Sequence, residues 1–117
     1  MPTATCHCGA VRLSFPELRL DTMRRCTCSM CMRRGAVAVS VPVEDLTVAG
    51  AENLALYQFN TNVAEHYFCR TCGIYTHHRR HSNPSEFGVN LGCVEGMDLS
   101  AFDAIPWNDG RNHPKDR

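Results

Sequence analysis

The sequence contains almost no lysine: of its twelve basic residues, eleven are arginine and only Lys115 is lysine. Twelve acidic residues balance them, so the formal net charge is zero. The chain therefore has no basic surplus of the kind that neutralises nucleic-acid phosphates. It also lacks any apolar run close to the roughly eighteen residues that a membrane-spanning helix needs. We expect neither nucleic acid nor a membrane as the main partner.

A secretory signal is also missing from the start of the sequence. Residues 1–15 show no basic segment followed by an apolar stretch, which is the pattern of a signal peptide. We accordingly expect a cytoplasmic protein. In a reducing compartment, eight cysteines indicate metal binding or redox chemistry more than a disulfide framework.

Long helical patterns are scarce, and the chain is instead rich in short alternating segments. Apolar residues alternate with polar ones at 11–15, 18–22, 37–41, 46–48, 54–59, 66–68, 74–76 and 87–91, a period that predicts β-strands. Only 29–34 and 98–102 are typical of short helical turns. With 117 residues and no internal boundary, the sequence predicts a single, mainly β domain over 1–117.

Seven of the eight cysteines form three short clusters. These are the pair Cys6 and Cys8, the triplet Cys26, Cys28 and Cys31, and the pair Cys69 and Cys72. Such closely spaced cysteines are poor disulfide partners, because a disulfide requires a specific Cα separation and Cβ orientation. A CxxC followed by glycine is typical of a zinc knuckle. A thioredoxin-like CxxC would leave the other five clustered cysteines unexplained, so the sequence predicts that the cysteines bind zinc.

The number of ligands separates structural from catalytic zinc. A structural zinc takes four protein ligands, whereas a catalytic zinc keeps one position open. Two pairs and one triplet divide naturally into a closed four-cysteine site and an open three-cysteine site. The spacing also permits the pair Cys69 and Cys72 to join two cysteines of the triplet instead.

An open zinc with three thiolates favours a soft fourth ligand such as a small-molecule thiol. The alternative is that a histidine closes the site. The possible donors are His66, His77, His78 and His81. The last three belong to a cationic run at 77–81, which we expect to face solvent.

Three sequence blocks resemble the signature of a known family. CHCGAVR at 6–12, CTCSMCMRRG at 26–35 and HYFCRTCG at 66–73 are similar to the blocks of the glutathione-dependent formaldehyde-activating enzyme family, also called the centromere protein V domain. NLGCVEG at 90–96 and DGRNHP at 109–114 fit as well. The resemblance implies a β-tent, a fold of small antiparallel sheets organised around a structural zinc site.

The resemblance also implies the role of each cysteine cluster. Cys6, Cys8, Cys69 and Cys72 match the structural zinc site. Cys26, Cys28 and Cys31 match the catalytic zinc site, which gives two Zn²⁺ per chain. The implied activity joins glutathione and formaldehyde into S-(hydroxymethyl)glutathione and is classified in reverse as a carbon–sulfur lyase. A similar thiol or another small electrophile is the wider substrate class.

Residues near the triplet and in the tail are further candidates. Four arginines flank the triplet and would suit the two carboxylates of glutathione, although each taken singly is expected to be an ordinary solvated charge. They are Arg24, Arg25, Arg33 and Arg34. Asp109 and His113 could approach the site from the tail. The alternative function is a non-catalytic zinc scaffold that binds a protein partner. A purely structural scaffold, however, does not need a zinc ion with an open coordination position.

Overall fold

The structure is a computed structural model, and it describes residues 1–112. Within this range the chain forms ten short strands and one α-helix, α1 (Ser29–Arg34). The strands are β1 (Thr3–Thr5), β2 (Arg12–Ser14), β3 (Arg25–Cys26), β4 (Ala38–Pro42), β5 (Thr47–Ala49), β6 (Leu54–Tyr57), β7 (Glu65–Cys69), β8 (Tyr75–Arg79), β9 (Glu86–Asn90) and β10 (Trp107–Asn108). No helix in the described range has the length and apolar character needed to cross a bilayer.

The strands form three small sheets. One is antiparallel with the order β1-β2-β5, and the largest is antiparallel with the order β4-β9-β8-β7-β6. The third is a two-stranded pair in which β10 lies parallel to β3. The predicted mainly β fold of small antiparallel sheets is confirmed, and the short β3–β10 pair is its parallel exception.

Five 3₁₀ helices connect the strands. They span Leu20–Thr22, Val43–Asp45, Ala51–Asn53, Leu91–Cys93 and Leu99–Ala101. The strand predicted at 18–22 is therefore wrong. The Thr22 hydroxyl donates to Arg19 O at 2.6 Å and the Met23 N–H donates to Leu20 O at 3.1 Å. These local bonds close a turn that the alternation of apolar residues does not reveal.

The hydrophobic core lies between the two antiparallel sheets. Its fully buried side chains include Leu13 of β2, the neighbouring Phe15, Val39 of β4 and Val89 of β9. Strand β4 is buried on both faces, since its Ser40 is also covered. Strand β4 therefore contacts both the core and the segment that leads into the cysteine triplet.

That segment is held to β4 by backbone and side-chain hydrogen bonds. The Arg24 N–H donates to Ala38 O at 3.0 Å, and the Ala38 N–H donates back to Arg24 O at 2.9 Å. The Ser40 N–H donates to the Thr22 hydroxyl at 2.9 Å. Arg24 is therefore held in a fixed position just before β3, two residues ahead of the first cysteine of the triplet.

Candidate metal centres and the adjoining cavity

Four thiols meet where the two antiparallel sheets approach each other. Cys6 and Cys8 lie in the turn between β1 and β2, Cys69 ends β7, and Cys72 lies in the turn before β8. The four sulfur atoms all lie within 4.8 Å of one another. The Sγ atoms of Cys6 and Cys8 are 3.7 Å apart, and those of Cys8 and Cys69 are 3.6 Å apart.

These separations fit a thiophilic metal ion such as zinc. A tetrahedral zinc with bonds of about 2.3 Å needs sulfur atoms about 3.8 Å apart. The Val11 N–H donates to Cys6 Sγ at 3.3 Å, and the Asn53 amide donates to Cys69 Sγ at 3.2 Å. The backbone N–H of Cys72 is the main cause that lowers the pKa of Cys69 to about 6. These N–H donors favour the thiolate form of Cys69 in particular, and the four sulfur donors would close a tetrahedral site.

The remaining three clustered thiols come together around the start of α1. Cys26 ends β3, Cys28 caps the helix N-terminus, and Cys31 lies in the first turn. Their sulfur atoms lie within 4.8 Å of one another. The Cys31 N–H donates to Cys28 Sγ at 3.2 Å, and the Cys28 N–H approaches Cys26 Sγ at 3.5 Å. The helix cap itself therefore sets the arrangement of the triplet.

Negative charge in this triplet concentrates on one sulfur. Hydrogen bonds with Cys26 and Cys28, together with the nearby charge of Arg34, lower the pKa of Cys31 to about 2. Hydrogen bonds with Cys26 and Cys31 and burial raise the pKa of Cys28. Arg34 Nη2 donates to Cys31 Sγ at 3.4 Å. The three sulfur donors suit a thiophilic metal ion. The Arg34 guanidinium beside them offsets part of the negative charge of the thiolates.

The structure groups the sulfurs as four plus three, so the alternative partition with Cys69 and Cys72 beside the triplet is wrong. Within residues 1–112, no histidine or carboxylate joins the group of three sulfurs. His66 and His78 face the cavity beside it without entering the group. That these seven cysteines bind zinc stays a prediction, as does the open fourth position.

A cavity of about 150 Å³ opens beside the three-thiol cluster. Its walls combine thiols, cations and aromatic or imidazole rings. They include Cys26, Cys28, Cys31, Arg24, Arg34, Arg80, Phe59, His66, Tyr75 and His78. The acidic residue in the lining of the cavity is the exposed Asp109.

Arg34 connects the cluster to the wall of the cavity. Its guanidinium carbon lies 3.8 Å from the centroid of the Tyr75 ring, and its Nη1 lies 3.1 Å from His66 Nδ1. Because arginine only donates, His66 Nδ1 accepts and His66 Nε2 carries the hydrogen. Burial, and then the charge of Arg34, lower the pKa of His66 to about 4. The imidazole is therefore neutral near pH 7 and presents a fixed N–H.

Two buried donors of the cavity lining have no hydrogen-bond acceptor in the described part of the chain. They are Arg24 Nη2 and His66 Nε2. The other terminal nitrogen of Arg24 donates to Thr22 O and to Ser40 Oγ, each at 3.0 Å. The Arg24 side chain is therefore held by one arm of its guanidinium, and the other arm is left unused.

The flanking arginines divide between the cavity and the surface. Arg33 donates to Ser29 O at 2.8 Å on the exposed side of α1, and Arg25 lies 5.7 Å over the Trp107 ring. Arg24 and Arg34 line the cavity, so the expectation of a solvated charge fails for these two. Their position depends on tertiary contacts with β4, β7 and β8, which the sequence around the triplet does not contain.

The expectation that 77–81 faces solvent is also wrong in part. His77 is buried, while His78 and Arg80 line the cavity. His78 and Arg80 are two residues apart and share one side of the strand and its continuation, while Tyr75 and His81 also line the cavity from outside that alternation. The spacing of His78 and Arg80 was therefore a signal for those two residues alone.

The tail covers the three-thiol cluster through β10. Strand β10 pairs with β3, and the next residues reach the sulfurs. Gly110 is buried against the cluster: a Cβ there would contact Cys26 Sγ and would lie 2.7 Å from Cys28 Cβ. Asp109 reaches the cavity from the tail, as expected, whereas His113 lies outside the described residues. Sequence analysis missed Gly110, although it lies within the DGRNHP block.

Fold and site together define a small β protein with a four-thiol cluster and a separate three-thiol cluster beside a cavity. The family model described as "Glutathione-dependent formaldehyde-activating enzyme" matches residues 1–107. The chain belongs to this family, as the three signature blocks predicted.

The chain is also similar to individual proteins. A crystal structure of a Rhodobacter sphaeroides protein shares 53% sequence identity and a TM-score of 0.86, over 91% of this chain and 99% of that one. A Halomonas elongata protein named "Putative glutathione-dependent formaldehyde-activating enzyme" is 34% identical over 77 residues, which cover 58% of this chain. The match spans about half of that relative, 49% of its length.

Proposed function

We propose that the protein adds glutathione, or a similar thiol, to formaldehyde or another small electrophile, and so belongs with the carbon–sulfur lyases and synthases. The observation that carries the proposal is the three-thiol cluster at the cavity wall, which no fourth histidine, cysteine or carboxylate completes within residues 1–112. The four-thiol cluster is closed and serves as the structural centre. Family membership supports the same activity. We also propose that the protein is cytoplasmic.

The residues of each cluster fit zinc as the resident ion. Cys6, Cys8, Cys69 and Cys72 would hold one ion, and the triplet at 26–31 would hold the second. A zinc ion in the triplet would supply Lewis acidity, which favours the thiolate form of a substrate thiol over the thiol form.

The side chains around the triplet prepare the cavity for an anionic sulfur. Three thiolates and a divalent ion leave a net charge of about −1, which would repel the thiolate of an incoming substrate. Arg34 lies against Cys31 and offsets that charge. The bond to His66 and the stacking on Tyr75 fix the guanidinium in place. The rings of Phe59 and Tyr75 line the cavity on this side and present an apolar surface to it.

The proposed reaction is a simple addition. The thiol sulfur forms a bond to the aldehyde carbon, and the π electron pair of the carbonyl moves to the oxygen. The proton lost by the sulfur ends on that oxygen, so the product is a hydroxymethyl thioether. No atom is oxidised or reduced overall, and no further reactant is needed.

The test is thiol binding to the cobalt-substituted protein, followed by catalysis. Glutathione should change the thiolate-to-cobalt absorption, and S-methylglutathione, which has no ionisable thiol, should not. The protein should also accelerate adduct formation between glutathione and formaldehyde. Cys28→Ser should abolish both effects, while Cys93→Ser, a change at the one cysteine outside the clusters, should keep them. Thiol binding without acceleration would indicate another electrophile, and absence of both would favour the non-catalytic scaffold.

A further inference from the structure

The cavity beside the three-thiol cluster is larger than formaldehyde needs and much smaller than glutathione. Its volume is about 150 Å³, and a cavity of about that size accommodates benzene. Formaldehyde would fill a small part of it. A tripeptide would place only one end inside. The cavity therefore suits a compact molecule, or the end of a longer one, of about six non-hydrogen atoms.

The polar groups of the cavity call for hydrogen-bond acceptors. Arg24 Nη2 and His66 Nε2 are both buried donors without an acceptor among the first 112 residues. Leaving such a donor unpaired costs roughly 1–3 kcal/mol, and more for a charged group. His66 is only 5% exposed, so bulk water does not readily supply the acceptor. A bound ligand that brings acceptor oxygens would satisfy both groups.

The charges around the cavity favour an anionic acceptor. Arg24, Arg34 and Arg80 all line it, and Glu86 pairs with Arg80 at 2.8 Å. The metal-loaded triplet would contribute about one negative charge, which Arg34 faces at Cys31. Asp109, the exposed acidic residue of the lining, is screened by solvent. Arg24 keeps a terminal nitrogen without an acceptor among the described residues, and the Glu86 carboxylate whose charge acts on it is already paired with Arg80.

Resting on the proposed function, we infer that Arg24 Nη2 and His66 Nε2–H form a carboxylate subsite, so that the small substrate filling this cavity carries a carboxylate group. The carboxylate belongs either to a compact thiol acid or to a carbonyl substrate of the 2-oxo acid type. Both sources present the same two oxygens to the same two donors. A carboxylate matches these donors because it accepts several hydrogen bonds and carries the opposite charge to Arg24.

Matched probes that differ in the carboxylate distinguish the two sources. Mercaptoacetate is compared with 2-mercaptoethanol, and glyoxylate is compared with glycolaldehyde. Each is titrated calorimetrically into the zinc-loaded full chain, and the two thiols are also followed by the absorption of the cobalt-substituted protein. We expect the carboxylate member of at least one pair to bind at least tenfold more tightly. Preference within the thiol pair assigns the carboxylate to the thiol, and preference within the second pair assigns it to the carbonyl substrate.

Substitutions test the two donors. Arg24→Gln and His66→Gln should each reduce the ratio of carboxylate-probe to neutral-probe affinity about tenfold; this ratio is the readout, because His66→Gln also removes a hydrogen bond that holds Arg34. Arg24→Lys should restore part of the preference, because it keeps the charge without the second N–H arm. Arg33→Gln is the matched control, since Arg33 lies outside the cavity lining. Far-UV circular dichroism and thermal unfolding check that each variant folds; if Arg24→Gln does not, Arg24→Lys and His66→Gln decide.

Equal binding of both members in both pairs would overturn the inference, as would a preference that survives in Arg24→Gln and His66→Gln. Failure of the proposed function gives a different result. In that case no thiol changes the cobalt absorption, while the calorimetric comparison of glyoxylate with glycolaldehyde still reports on the carboxylate subsite.

Discussion

A buried imidazole outside the candidate centres determines part of the response to acid. His77 is 2% exposed, stacks on Tyr67 with ring centroids 4.7 Å apart, and meets the Phe87 ring edge-on at 5.2 Å. Its Nδ1 lies 2.8 Å from the Thr76 hydroxyl. Burial lowers the pKa of His77 to about 4, whereas in the unfolded chain it is about 6.5. Below pH ~6.5 the unfolded state therefore binds a proton that the folded state excludes.

The predicted consequence is a loss of stability as the pH falls from about 6.5 to about 4, with no further loss from this group below its folded pKa. The contribution of His77 is at most about 3 kcal/mol. In His77→Gln, urea unfolding between about pH 7 and about pH 5 should show a shallower dependence of the unfolding free energy on pH. The exposed His7 provides the control variant, His7→Gln. Parallel pH profiles for wild type and His77→Gln would contradict the prediction.

Single residues were predictable where their chemistry follows local spacing. The seven clustered cysteines could be found because each pair or triplet is close in sequence, and the structure brings together the groups that the resemblance implied. His66, Arg24 and Arg80 could not be assigned to one cavity, because the contacts that gather them join β3, β4, β7 and the end of β8. Arg34 and His66 are hydrogen-bonded although they lie far apart in sequence. The sequence around either residue does not predict its contact with the other.

At the scale of elements, the parallel pairing of β10 with β3 positions the tail against the three-thiol cluster. The Arg25 N–H donates to Pro106 O at 2.8 Å, and the Thr27 N–H donates to Asn108 O at 3.0 Å. The chain then turns so that Gly110 lies on Cys26 and Cys28. The atoms closest to an added Cβ include Cys28 Cβ at 2.7 Å and Cys28 N at 2.9 Å. Since Cys28 N is backbone, this contact cannot be relieved by a side-chain rotation.

Gly110→Ala should therefore push β10 away from the triplet and weaken the second metal. Overpacking of this kind typically costs about 1–3 kcal/mol, which corresponds to a loss of affinity of roughly fivefold to 150-fold at that site. Competition with a chromophoric zinc chelator measures it. Gly92→Ala is the matched control, because its added Cβ would meet only the side chains of Asn90 and Leu99, at 3.3 and 3.6 Å. Unchanged affinity in Gly110→Ala would show that the tail does not press on the cluster.

Strands and helices could be predicted where a periodic pattern of apolar residues ran along the segment or where a capping residue marked its end. The alternation at 37–41 and 87–91 predicted β4 and β9, and 29–34 was predicted as a helical turn that the structure shows as α1. Gly35, with a φ of 65°, ends that helix. The two-residue strands β3 and β10 carry no periodicity of their own and form only because they meet each other.

At the scale of the whole molecule, the four-thiol cluster joins the two antiparallel sheets. Cys6 and Cys8 follow β1 of the three-stranded sheet, while Cys69 and Cys72 belong to the turn between β7 and β8 of the five-stranded sheet. Cys69 and Cys6 are also part of the hydrophobic core. A metal at this junction would therefore stabilise the packing of one sheet on the other. The three-thiol cluster lies at the β3–α1 corner and does not connect those two sheets.

This difference predicts unequal consequences when the two centres are disrupted. A structural zinc supplies about 10 kcal/mol or more of apparent binding energy, which is comparable to the whole stability of a domain of roughly 5–15 kcal/mol. Cys72→Ala should thus unfold the protein or lower its melting temperature severely, because it opens the site that holds the sheets together. Cys28→Ser should leave the circular dichroism spectrum largely intact while the zinc content falls from about two ions to about one.

Graded chelation of the wild-type protein should resolve the same hierarchy without mutation. The first zinc released should come from the centre with three protein ligands, because a chelator can approach its open position directly, and the far-UV circular dichroism should stay constant during this phase. The second should leave more slowly and together with the loss of tertiary structure, since four protein thiols fill its coordination positions and join the two sheets. Release of both ions in one phase, coincident with unfolding, would mean that the triplet is also closed and structural, and that the cavity beside it does not give access to the metal.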